Sequence, residues 1–275
     1  MTSRFIFRGT TFNIPSNRFL WKKLGEYDSL VEFQEVASRL LLAEYNPSKE
    51  SFRDYLVRVS KLTCVNLNDI SLQNYRQIQY QGYLVFPNAS FDAFLTDFAE
   101  DVRLLLNSEF SESEIGGCHF EKVKVALENN GIELTIDEAK IKLYHYYRHL
   151  RNDVAHRLDV DYATEYSLID MDAIHGFYPN LAKPQPKSSL NFDDFVLCTA
   201  NIKNMADEMT RSLLPHIDWV TLVLENKDFL LPKYRKFVAM NRVDRLKRYI
   251  KNCVHFLYGI KLPTSDIETI VGSLE

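Results

Sequence analysis

Residues 134–159 read LTIDEAKIKLYHYYRHLRNDVAHRLD, and the periodicity of this stretch decides the fold. Thr135, with Glu138 three residues on, predicts a capped helix start, and neither Gly nor Pro interrupts the run to Leu158. Leu143, Tyr147, Leu150, Val154 and Leu158 recur at steps of 4, 3, 4 and 4, the spacing of an apolar face turned to a core. His145, His149, Asn152 and His156 recur at steps of 4, 3 and 4. That second line lies about 200° round the helix from the first, at ~100° per residue. Arg148 and Arg151 border it. A solvated helix face usually carries Lys, Glu and Gln, whereas imidazoles, an amide and guanidiniums suit the handling of a phosphodiester.

The rest of the chain frames this helix with others. With 275 residues, 46% hydrophobic and 25% charged, the chain can bury a core, and nine Gly and nine Pro are too few for a turn-rich all-β design. The expected class is all-α. Thirty-three Lys and Arg against 37 Asp and Glu leave a net charge of −4, so any nucleic-acid partner must be held by a local patch. Cys64, Cys118, Cys198 and Cys253 are scattered without a C-x-x-C pair, as expected of free thiols in a reducing compartment. No signal-peptide core opens the sequence and no apolar run reaches the ~18–20 residues of a membrane helix, which predicts a cytoplasmic protein with no membrane partner.

Taken in order, the N-terminal residues hold a candidate strand near 4–7. Ser29 and Glu32 form a second capping box, opening a helix that Asn46-Pro47 ends; the next helix runs to about 62. A third spans about 69–85 and breaks near Pro87. Ser90 then caps a helix to 106 whose Phe91, Phe94, Leu95, Phe98, Val102 and Leu105 share one side, a core pattern. A helix over 119–129 ends at Asn130-Gly131, a left-handed cap signal. Beyond the central helix, Pro179, Pro184 and Pro186 mark a loop. Asn191 caps a helix to 214 with Phe195, Thr199, Ile202, Ala206, Met209 and Leu213 as its core stripe. An apolar segment near 217–224 precedes one basic helix, 232–258, carrying Arg242, Arg245 and Arg248.

Arg151-Asn152-Asp153-Val154-Ala155-His156 fits an R-x4-H pattern with a polar residue after the Arg. Together with the preceding YHYYRHL and the helices 90–106 and 191–214, it resembles the HEPN superfamily. The resemblance covers about 69–215, leaving 1–68 and 216–275 as helical extensions, the latter basic. It implies a helical bundle and a metal-independent endoribonuclease of the toxin–antitoxin or phage-defence kind, with no cofactor. It also implies a homodimer that shares a cleft, with RNA as substrate and an antitoxin or regulatory protein as a further partner. Many members follow the His with Gly; here Arg157 stands there.

The chemistry follows from the residue types. RNA carries its own nucleophile, the 2′-OH, beside the phosphodiester. A free histidine side chain titrates near neutrality, so the residue type at 156 suits a general base or acid; Arg151 offers a permanently charged fork for phosphate oxygens. Asn152, one turn before His156, would orient its imidazole or bond the phosphate. Arg151 and His156 are about 140° apart on an ideal helix, so two copies packed face to face converge better than one. The alternative is a salt-linked helix end with His156 at the C-terminal dipole, which leaves either a catalytically silent module binding RNA, a nucleotide or a protein, or a helical scaffold. His145 and His149 form H-x3-H without the rest of a zinc motif and are expected to line the dimer cleft or sit at its rim, and with Arg148 and Arg157 they are candidate substrate-binding residues. Arg242, Arg245 and Arg248 form either an RNA-tracking patch or a solvated face.

Overall fold

A computed structural model describes residues 12–66, 71–112, 114, 115, 117–156, 160 and 162–274. It is all-helical, and the described residues contain no strand. In chain order the helices are α1 (Pro15–Ala43), α2 (Phe52–Thr63), α3 (Leu72–Tyr83), α4 (Val85–Leu106), α5 (His119–Asn129), α6 (Glu138–His156), α7 (Ala163–Ser167) and α8 (Met171–Phe177). After a proline-bearing segment come α9 (Phe192–Leu213), α10 (Trp219–Glu225), α11 (Lys227–Leu230), α12 (Tyr234–Ala239), α13 (Val243–Tyr258) and α14 (Thr264–Leu274). The expected strand near 4–7 lies outside the described residues.

The helices form two compact units, one of residues 21–91 and 136–205, the other of residues up to 20, 92–135 and 206 onward. The first holds α6. Its Leu143, Tyr147 and Leu150 are fully buried, as are Tyr146, Phe91 and Leu197. Val154, from the same expected stripe, is only half-buried, and Leu158 lies outside the described residues. α6 packs on α3, α7 and α8. Burying so many tyrosines requires a partner for each hydroxyl. Tyr146 donates to the Gln185 carbonyl at 2.8 Å, Tyr147 to Asp194 at 2.9 Å and Tyr178 to Asn201 at 2.9 Å.

In the second unit α10 and α13 both pack on α14, and Trp219 meets Phe12 and Tyr258 edge-on. Leu246, Ile250, Val254 and Tyr258 give α13 a buried edge at a step of four, while Arg242, Arg245 and Arg248 are exposed.

Several expected boundaries move for local reasons. α6 begins at Glu138 rather than from a Thr135 cap, because the Asp137 carboxylate accepts from the Ala139 N–H at 2.8 Å. Ser29 opens no helix: α1 runs through it, and its hydroxyl bonds back to the Gly25 carbonyl at 3.0 Å. Ser51 caps α2 by accepting from the Asp54 N–H. α4 starts at Val85 and takes Pro87 and Ser90 into its first turns, where Pro removes no helical hydrogen bond. The single basic helix is two, α12 and α13, parted at Asn241, whose φ of 48° is left-handed.

Candidate functional site

The second half of α6 gathers the candidate residues. Arg148, His149, Arg151 and Asn152 are half-buried, and His156, the last helical residue, is exposed. His145 is half-buried one turn earlier, its ring 5.3 Å from that of Tyr144. Arg157 lies outside the described residues. The helix offers its last carbonyls at this end.

Two side-chain pairs organise the face. Arg151 Nη1 donates to Asn152 Oδ1 at 3.0 Å, so the amide holds the guanidinium rather than the imidazole of His156. Arg148 Nη2 stands 3.0 Å from His149 Nε2. A guanidinium can only donate, so Nε2 must be the unprotonated nitrogen and the ring proton sits on Nδ1. Nδ1 faces Glu165 Oε1 at 3.7 Å. Burial, and next the Arg148 charge, hold the His149 pKa below its ordinary value. His149 is therefore a neutral prop for Arg148 at pH 7.

Beneath the face the helix end is pinned by a contact with no local sequence signal. Asp153, 7% exposed, pairs with Lys187 Nζ at 2.9 Å and accepts from the Val160 N–H at 3.2 Å. Lys187 also donates to the Val160 carbonyl at 2.9 Å and lies 5.6 Å from the centre of the Tyr162 ring. Val160 is thus tied at both its donor and its acceptor group. Deeper in the unit, Asp194 accepts from the Tyr147 hydroxyl and the N–H groups of Gln185 and Asn191. Burial nevertheless pushes its carboxyl up to about 6.

Arg242, Arg245 and Arg248 belong to the other unit, at the start and first turns of α13. None forms an ion pair with a described residue. Among the described residues no group of three or more His, Cys, Asp or Glu could hold a metal ion, and no helix is long and apolar enough to cross a membrane. No family model matches the chain, and neither does any curated protein or solved structure.

Proposed function

We propose that the exposed face of α6 cleaves RNA, with Arg151 and His156 as its working pair and Asn152 as the residue that positions Arg151. The observation that carries this reading is a held, half-buried guanidinium and an accessible imidazole near the end of one helix. His156 takes the 2′-OH proton as that oxygen bonds to phosphorus. The bond to the 5′-oxygen then breaks, leaving a 2′,3′-cyclic phosphate and a 5′-hydroxyl once the leaving oxygen is protonated. The proton taken by His156 returns through water to the leaving oxygen, and the Arg151 that faces this His156 comes from another copy of the chain, which is why a homodimer with a shared cleft belongs to the proposal. Arg151 supplies the fixed positive charge for the crowded phosphate. No step requires a metal.

The test is cleavage of a labelled RNA by the purified chain in EDTA, with His156→Ala alongside. Expected is cleavage by the wild type, with cyclic or 3′-phosphate ends, and a loss of about 10²–10⁴-fold in the variant. Activity that vanishes with chelator and returns with a divalent ion removes the mechanism. Wild-type-like cleavage by His156→Ala removes the site. A folded wild type that binds RNA without cutting it makes the domain a silent module.

A further inference from the structure

A second site opens elsewhere in the same unit. The end of α1, the exposed side of α3 and the segment 188–191 enclose a groove of about 870 Å³, within the size range of small-molecule pockets. Twelve residues line it and none is Asp or Glu, although the chain as a whole is acidic. Two are arginines, Arg39 from α1 and Arg76 from α3.

The arginines are prepared differently. Glu35 is 3% exposed and takes Arg39 Nε at 2.8 Å, while the Tyr80 and Tyr83 hydroxyls and the Gln79 amide also donate to it. The carboxylate is satisfied inside the protein and fixes Arg39 by one nitrogen. The same guanidinium lies 5.8 Å from the centre of the Phe192 ring. Its two terminal nitrogens make no hydrogen bond with a described residue, so both remain for a ligand. Arg76 is exposed and forms no hydrogen bond or ion pair with a described residue, so no described carboxylate is paired with its charge. Leu42, Leu72 and Leu190 supply apolar wall, and Gln73 and Gln77 add amides that both donate and accept.

We propose that this groove binds a small phosphomonoester. The two guanidiniums match a dianionic phosphate head, for which planar forks are the favoured partners. The apolar wall and the amides match an uncharged organic body that buries some surface and offers hydrogen-bonding groups. The site is separate from the Arg151–His156 face and its occupancy does not depend on RNA cleavage.

Titration calorimetry of the full chain with inorganic phosphate, AMP and glucose 6-phosphate tests it. Saturable binding of at least one ester, tighter than that of inorganic phosphate, is expected. Arg76→Gln should weaken that binding by at least about tenfold, the usual consequence of losing a charged hydrogen-bond donor. Because Arg76 is exposed and forms no hydrogen bond or ion pair with a described residue, the variant should melt like the wild type. Arg151→Ala should bind the ester unchanged, which separates this site from the proposed nuclease. The proposal is overturned by an absence of binding for all three probes at low millimolar concentration, or by inorganic phosphate binding as tightly as the esters. It is equally overturned if Arg76→Gln binds like the wild type, or if Arg151→Ala abolishes binding and so places the ester on the α6 face.

Discussion

Arg151 Nη1 donates to Asn152 Oδ1 at 3.0 Å, between neighbours on one helix. Adjacent helical residues point about 100° apart, so this contact requires the Arg side chain to bend round towards the line of His149, Asn152 and His156. The amide thereby moves the guanidinium towards the histidine side of α6. In the proposed nuclease, Asn152→Ala should leave RNA affinity nearly unchanged and lower the rate of the chemical step by roughly 10–100-fold, through loss of orientation. Single-turnover cleavage against a binding isotherm separates the two. A fall in affinity with an unchanged rate constant would assign Asn152 to RNA contact instead.

Two titrating groups in this unit act in opposite directions on stability. The carboxyl of Asp194 rises from 3.8 in the unfolded chain to about 6 in the fold because of burial. Its protonated form is favoured by folding, so the corresponding stability is full below pH ~4 and is lost as pH rises through about 6, on the order of 3 kcal/mol. His149 is depressed, chiefly by burial, so its contribution is present above the unfolded value of about 6.5 and is lost as pH falls. Urea midpoints between pH 4 and 7 should therefore steepen in opposite senses in two variants. Asp194→Asn should remove the loss on raising pH, and His149→Gln the loss on lowering it. Parallel curves for wild type and Asp194→Asn would show that this carboxyl titrates near its unfolded value.

Lys187 is the counter-charge for a nearly buried carboxylate, and it also ties down the Val160 carbonyl. Lys187→Met keeps the aliphatic stem and removes only the charge. Breaking one side of such a pair leaves an uncompensated charge, with a cost of roughly 3 kcal/mol. Thermal melts should show this loss, and replacing both residues with Asp153→Asn in the same chain should recover part of it. Equal stability of Lys187→Met and wild type would mean the pair is solvated in solution.

Local pattern sufficed wherever one face or one cap decided the outcome. α5 spans the expected 119–129, and Gly131 after it has the left-handed φ of 74° its position called for. Phe91, Phe94, Leu95, Phe98, Val102 and Leu105 on α4, and all six residues of the α9 stripe, are buried. Cap motifs failed where the same atoms had a helical alternative. Ser29 can bond the previous turn, and Asp137 outcompetes Thr135 for the start of α6. The break at Asn241 involves neither Gly nor Pro, so the basic run reads as continuous. On the candidate face the polar line of α6 was legible. Its support was not, because Asp153 finds Lys187 and His149 finds Glu165 only after the chain folds back. Arg39 and Arg76 were equally silent, each an ordinary surface arginine until α1 and α3 enclose a groove.

The exposed arginines of α13 supply a prediction on binding. Arg242, Arg245 and Arg248 have no ion-pair partner among the described residues, so they are available to phosphates. If each meets one phosphate of single-stranded RNA, replacing all three with Gln should weaken binding and reduce the slope of log affinity against log salt by about 2. Leu246 and Ile250 carry the packing of this helix, so the fold should persist. An unchanged slope would make this a solvated face.

The last prediction concerns how Arg151 and His156 would meet in the proposed nuclease. Their positions on α6 differ by about 140° around the axis, and only the Arg is drawn round by Asn152. A site composed of Arg151 from one copy and His156 from a two-fold-related copy removes the conflict, and symmetry then produces two such sites per dimer. Arg151→Ala and His156→Ala should each be inactive alone. In a mixed dimer of the two, one site loses both groups while the other keeps an intact Arg and an intact His. Random exchange puts about half the molecules in mixed dimers, so an equimolar mixture should regain about a quarter of wild-type cleavage. Refolding the two together, rather than mixing them briefly, ensures exchange. No recovery in a mixture shown by mass to contain mixed dimers would require the Arg and His of a site to come from one chain. A monomer at assay concentration with full activity would exclude the shared cleft altogether.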